Sequence, residues 1–318
     1  PPLARLKGDL VEVPGLAPLT PEDLQKQIYS VTSSSQQKRL EEDKELDFSF
    51  HIRGLARFRG NIFYQRGMLS AVFRAIPSKI PALADLGLPE VLKEIISRHQ
   101  GLFLVTGPTG SGKTTTLASL VQYVNENFPK HIITIEDPIE FAYADVKSAI
   151  NQREVGTDTN NFAQALRRAL RQDPDIILMG ELRDQETIGT AITAAETGHL
   201  VLGTLHTNDA KQSVNRILDT FPSEAQSQVR IQLAAALIAV VSQRLIKRAD
   251  GKGRVAAVEL LINTPSIRKL IEENKIGQIT KMMEESSSFY KTQTFNQALF
   301  ALVKEQRITP EEAFAISE

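Results

Sequence analysis

Gly107–Pro108–Thr109–Gly110–Ser111–Gly112–Lys113–Thr114 follows directly on the apolar run Gly101–Leu102–Phe103–Leu104–Val105–Thr106. An apolar run closed by a glycine-rich loop predicts a buried strand that turns into a helix. The octet fits the phosphate-binding pattern G-x-x-x-x-G-K-[ST] without a mismatch. The glycines let backbone N–H groups converge on phosphate oxygens, and the helix N-terminus beyond adds its positive dipole end. In that frame Lys113 reaches the β- and γ-phosphates and the Thr114 hydroxyl can ligate Mg2+. Gly107, Thr109, Gly110, Ser111, Gly112 and Thr115 complete the expected nucleotide cradle.

A Mg2+-nucleotide site needs acids at neighbouring strand ends, and two stretches qualify. Ile132–Ile133–Thr134–Ile135–Glu136–Asp137–Pro138–Ile139–Glu140 ends an apolar run with three carboxylates. One of them can serve as general base for an attacking water. Asp173–Pro174–Asp175–Ile176–Ile177–Leu178–Met179–Gly180–Glu181 reads as a Walker B strand with Glu181 in the place usual for Asp, holding Mg2+ through a water. A third stretch, Thr197 to Thr207, has His199 and His206 flanking one apolar strand. His206 then follows a strand's C-terminal end, where α/β sheets bind ligands, and can contact the γ-phosphate. Zinc is the competing reading for the pair, without an evident third ligand.

Outward from these motifs, strands alternate with helices from Pro89 onward, which gives an α/β fold with a mainly parallel sheet. After Thr207 the chain reads as mostly helical, with Glu284–Glu285–Ser286–Ser287–Ser288 as a loop. Before Pro89 the texture is different. Leu10 to Gly15 reads as a short strand closed by a turn, Thr20–Pro21–Glu22–Asp23 as a helix start, and about 33–44 as a second helix. Period-2 alternation then runs through Leu46–Ile52, Leu55–Tyr64 and Leu69–Ile76, with turns at Arg53–Gly54 and Arg66–Gly67. The expected division is an α+β domain over 1–80, a linker with a leading helix over 81–95, and the P-loop domain over 96–318, helical from about 208. Arginines stand out in both parts: Arg57, Arg59, Arg66 and Arg74 in the first, and Arg167, Arg168, Arg171 and Arg183 in the second. Phosphoryl transfer gains from an arginine supplied by a neighbouring subunit, and arginines on a domain preceding the P-loop invite that reading.

Composition narrows the function classes. The 318 residues suit about two domains, at roughly 100–200 residues each. A formal net charge of -1 argues against bulk nucleic-acid neutralisation, and no nucleic-acid partner is expected. The absence of cysteine removes disulfides, Cys-ligated zinc and thiol nucleophiles, and fits a reducing compartment. No run approaches 18 apolar residues, so no membrane insertion is expected. The sequence opens on Pro1 without a Met, as a trimmed piece would.

Taken together, the P-loop, the acidic box Thr134–Glu140, the Walker B stretch ending Gly180–Glu181 and the histidine box Gly198–His206 resemble the secretion-superfamily ATPases of type II secretion and type IV pili. The resemblance spans nearly the whole chain. Asn151–Gln152–Arg153–Glu154–Val155–Gly156 and Leu170–Arg171–Gln172–Asp173–Pro174–Asp175 place it nearest the pilus retraction ATPases among them.

The resemblance implies a RecA-like P-loop core, an N-terminal PAS-like domain and a cytoplasmic homo-hexamer hydrolysing ATP with Mg2+. Such a ring works at the cytoplasmic face of the inner membrane on a pilus platform protein. By position it makes Glu140 the catalytic base, Glu181 the Walker B acid and His199 and His206 the histidine-box residues. Arg59 and Arg74, with Arg57 beside them, would reach a neighbour's ATP. The retraction branch carries a C-terminal Ala-Ile-Arg-Asn-Leu-Ile-Arg-Glu motif. Ser266–Ile267–Arg268–Lys269–Leu270–Ile271–Glu272–Glu273 keeps its Ile, Arg, Leu and Ile in register and changes its Ala, Asn and second Arg. Assembly and secretion ATPases usually add an N-terminal domain and a zinc-binding double Cys-x-x-Cys. Without cysteine, this chain sides with retraction; pilus assembly, type II secretion and a RecA-like nucleic-acid motor are the alternatives.

Overall fold

The computed structural model describes residues 1–317 except 7–8, 53–54 and 77–78. Contacts divide the chain into two compact units, Pro1–Ser78 and Lys79–Glu318. The expected turn at Arg53–Gly54 and the start of the linker at Pro77–Ser78 lie outside the described residues.

The first unit opens with a hairpin, β1 (Leu3–Leu6) and β2 (Asp9–Glu12), paired antiparallel. Helix α1 (Pro21–Ser30) starts where Thr20 accepts a hydrogen bond from the Asp23 N–H and Pro21 sits in the first turn. Helix α2 (Ser34–Asp43) starts with a capping box between Ser33 and Gln36 and stops at Lys44, which turns left-handed. Strands β3 (Glu45–Ile52), β4 (Ala56–Gln65) and β5 (Met68–Ile76) form an antiparallel meander in that order. Its buried face supplies Leu46, Phe48 and Ile62, which pack on Ile28 of α1 and Leu40 of α2.

The second unit begins with a 3-10 turn over Leu83–Leu86 and helix α3 (Val91–Ile96). The order then runs β6 (Gly101–Thr106), α4 (Lys113–Asn127), β7 (His131–Glu136), β8 (Ala149–Glu154), α5 (Phe162–Ala169), β9 (Ile176–Met179), α6 (Gln185–Glu196), β10 (Leu200–Leu205), α7 (Ala210–Asp219), α8 (Ser223–Ala236), β11 (Leu237–Lys247), β12 (Arg254–Ile262), α9 (Pro265–Glu272), α10 (Ile279–Tyr290), α11 (Phe295–Lys304) and α12 (Pro310–Phe314). The sheet order is β12-β11-β6-β10-β9-β7-β8. All pairings are parallel except β11 with β12.

Both faces of this sheet are covered, which explains the unbroken apolar run of β6. Leu102 and Leu104 point into one core with helices α6 and α8, while Phe103 and Val105 point into the other with α3 and α4. The P-loop strand therefore lies in the interior of the sheet, flanked by β10 and β11.

Two expectations need correction. The region after residue 208 is mostly but not wholly helical, because β11 and β12 are long strands that extend the sheet past the P-loop strand. A strand buried on both faces carries no alternation, and periodicity cannot separate it from a buried helix. The stretch Glu284–Ser288 is not a loop but part of α10. Met283, buried one residue earlier, anchors that helix to the core, and Ser286 bonds back to the Met282 carbonyl at 2.6 Å. Packing there outweighs the weak helix propensity of three serines.

Candidate nucleotide site

The loop between β6 and α4 is shaped by what lies against it. Gly107 has φ 142°, and a Cβ there would stand 2.4 Å from the Gln243 carbonyl oxygen and 2.6 Å from Ser111 Oγ. Gly112 has φ 93°, and its Cβ would meet Gln243 Nε2 at 2.8 Å. Both positions need glycine for backbone angle and for space. Gln243, on β11, is itself buried and accepts a hydrogen bond from Thr116 Oγ1 at 2.8 Å. Beside it, Thr106 Oγ1 donates to Ser242 Oγ at 3.0 Å.

Lys113 is buried and folds over the loop, donating to the carbonyls of Gly107 at 2.7 Å and Pro108 at 3.1 Å. Burial lowers its pKa, opposed by the charges of Glu181 and Glu140. Those two acids follow different strands, β9 and β7, and the charges of both act on this lysine. Ser111 Oγ is buried with no hydrogen-bond partner, an orphan a phosphate oxygen would satisfy. Thr109 and Gly110 are exposed at the loop tip, and Thr114 and Thr115 are half-buried at the first turn of α4.

Glu181 follows β9 and Gly180. Its Oε2 meets Arg183 at 2.7 Å and its Oε1 meets His206 Nε2 at 3.4 Å. Burial works against its charge, but Arg183 and His206 outweigh that and hold the carboxyl below the usual glutamate range. His206 follows β10, the strand between β6 and β9. Thr204 Oγ1 ties the two strand ends together by donating to the Gly180 carbonyl at 2.6 Å.

The three acids after β7 separate in environment. Glu136 is buried and accepts from Thr134 Oγ1 at 2.6 Å and Gln152 Nε2 at 3.3 Å; burial pushes its pKa up. The peptide bond Asp137–Pro138 is cis. Asp137 is exposed and Glu140 half-buried, so both are open to solvent, and the Glu140 charge acts on Lys113.

His199 is the residue that the structure removes from this group. It precedes β10 as His206 follows it, and its carbonyl accepts the Gly101 N–H at 3.0 Å, at the far edge of the sheet from the loop. At about 3.3 Å per residue the separation is roughly 20 Å. Its Nδ1 lies 3.2 Å from the Ala194 carbonyl, a local contact at the end of α6. The motif spacing that paired the two histidines is the length of a strand, which sets them at opposite ends.

In the first unit, Arg59 and Arg74 are exposed and directly opposite each other on β4 and β5. Arg57 donates to Ser49 Oγ at 2.7 Å.

Sequence reading missed Gln243 and the Arg183–Glu181 pair. Gln243 lies 130 residues beyond the loop in a stretch read as helical. Arg183 was one arginine among many, although its spacing of two from Glu181 put both on the same side of an extended segment.

A strand, a glycine loop ending in Lys–Thr and acids converging from adjacent parallel strands define a P-loop ATPase fold. The family described as "Type II/IV secretion system protein" matches residues 32–252. The chain belongs to that family. It is 48% identical over 98% of its length to the twitching motility protein of Neisseria gonorrhoeae, covering 83% of it. It is 49% identical over 98% of its length to the type IV pilus retractation ATPase PilT of Pseudomonas aeruginosa, covering 90%. The crystal structure of the pilus retraction motor PilT with bound ADP superposes with a TM-score of 0.93 at 51% identity, covering all of this chain and 90% of that one.

Proposed function

We propose that this chain is the ATP-hydrolysing motor that powers type IV pilus retraction. The observation that carries the ATPase chemistry is the glycine loop between β6 and α4, with Lys113 folded over it and the buried Ser111 Oγ left without a partner. The identity to a named retraction ATPase over nearly the whole length supports the direction of work.

Gly107 to Thr115 would cradle the phosphates of ATP, with Lys113 leaving the Gly107 and Pro108 carbonyls for the β- and γ-phosphates. Thr114, and Glu181 through a water, would hold Mg2+, which when bound neutralises charge on the phosphates. The residues fit it: Glu181 is kept ionised, and the Thr114 hydroxyl sits at the first turn beside the orphaned Ser111 Oγ. Glu140 would take a proton from the attacking water and His206 would contact the γ-phosphate, tying its presence to the end of β10.

Arg59 and Arg74 form a doubled positive charge that suits an anionic group supplied from outside the unit. Hence the chain would act as a homo-hexamer in which the PAS-like unit of one subunit completes the nucleotide site of its neighbour. An inner-membrane platform protein would receive the resulting motion, at the cytoplasmic face. Loss of the γ-phosphate would release the clamp that Lys113, His206 and the arginines make on it.

The test is twofold. Purified chain should release phosphate from Mg–ATP, and mixing Lys113→Ala with Arg59→Ala subunits should recover turnover that neither has alone. Deleting the gene should leave cells hyperpiliated and non-retracting; bald cells would instead assign the motor to assembly.

A further inference from the structure

The loop that carries Glu181 is pinned at several points. Gly180 donates to the Ile135 carbonyl at 2.8 Å, and Leu182 donates to the Thr204 carbonyl at 3.1 Å. The Leu182 side chain is buried against Gly203, where a Cβ would lie 2.7 Å from Leu182 Cδ1. Asp184 then caps α6, its Oδ1 accepting from the Thr187 N–H at 2.8 Å. With Leu182 turned into the core, Glu181 and Arg183 are left together on the open side.

They pair unequally. The Arg183 side chain is 66% exposed and that of Glu181 only 20%. Such a pair adds little to stability, because the guanidinium is mostly solvated with or without it. Its effect falls on the carboxylate: Arg183 takes Oε2 and His206 approaches Oε1, so both oxygens have a partner within the chain. Arg183 also feels the charge of Asp137, which follows β7. Each carboxylate oxygen has two lone pairs, so a metal-bound water reaching Oε2 would share that oxygen with Arg183 and compete with it for the best approach.

We propose that Arg183 is a positioning residue of the nucleotide site: it pairs with Oε2 of Glu181 and competes there with a metal-bound water. The guanidinium thereby competes with the divalent cation and weakens its retention once nucleotide is spent. Asp137 supplies a nearby charge to hold the released side chain. This inference rests on reading Glu181 as the Walker B acid.

The test uses the full chain with ADP and Mn2+ as the metal probe, free Mn2+ being read by electron paramagnetic resonance. Arg183→Ala should lower the Mn2+ half-saturation roughly two- to fivefold, the range set by one exposed ion pair. Arg183→Lys should fall between that variant and the wild type, since an ammonium keeps a point charge without the planar fork. ADP binding without metal should be equal in all three, a pattern that damage to the fold would not produce. An unchanged or raised half-saturation in Arg183→Ala overturns the inference alone, provided Mn2+ tightens ADP binding to the wild type. If Mn2+ does not tighten it, the nucleotide-site reading fails and this inference with it.

Discussion

In the P-loop unit the charges of the candidate site meet partners within the chain: Glu181 lies between Arg183 and His206, and Lys113 faces Glu181 and Glu140. In the N-terminal unit the exposed arginines Arg59 and Arg74 face each other across β4 and β5, and among the described residues neither carries an ion pair. Like charges directly opposite on a sheet are unfavourable. One unit therefore pairs its site charges within the chain, and the other leaves two opposed charges to solvent. The cores differ in the same way. The sheet of the P-loop unit is packed on both faces, whereas the smaller unit rests on a single cluster around Ile62.

The strongest way to break this contrast is Lys113→Ala. Turnover should fall by at least about a thousandfold, as electrostatic stabilisation of the phosphoryl group is lost, while circular dichroism stays that of the wild type. Wild-type-like phosphate release would remove the lysine from the chemistry. Next, Ile62→Ala should cost the first unit about 2–5 kcal/mol, the usual range for emptying a core position. Thermal unfolding should then show an early transition that leaves ADP binding by the P-loop unit in place; a single shared transition would mean the units unfold together.

A smaller effect on the fold is expected from Arg74→Ala. The melting temperature should hold or rise slightly as the repulsion with Arg59 disappears, yet steady-state turnover should drop with nucleotide binding unchanged. A lowered melting temperature would show that the opposed pair is structural after all.

The smallest effect belongs to Asp175, at the sheet edge away from the loop. Its pKa is lowered although burial opposes this, because Lys130 donates to it at 2.8 Å and the His131 N–H at 2.9 Å. A depressed carboxyl contributes stability that is present above its unfolded value and lost as pH falls through its folded one. The loss should therefore come below about pH 4, and Asp175→Asn should flatten it with little change at neutral pH. An acid limb unchanged by Asp175→Asn would mean the Lys130 pair contributes nothing.

How much of this was legible in the sequence follows from the range of the interactions. Gly107 to Thr114 is a local device, its glycines, lysine and helix start lying within one turn of chain, so the reading reached the fold and the phosphate loop together. The meander of the first unit was legible for the same reason, since period-2 alternation is a property of each strand by itself. Gln243 was not legible, because its role is set by a register between β6 and β11 that no local pattern records. The place of His199 was legible, since flanking the same strand as His206 puts it at the other end; its grouping with the site came from the resemblance alone.

Gln243 has one more consequence. On its buried side the phosphate loop lies against β11, where a Cβ on Gly107 would stand 2.4 Å from the Gln243 carbonyl oxygen. On the other side Pro108 to Gly110 form an exposed lip. Through β11, its partner β12 and helix α11 packed on β12, the floor of the binding loop is continuous with the C-terminal third of the chain, which thereby has a bearing surface at the phosphates' seat.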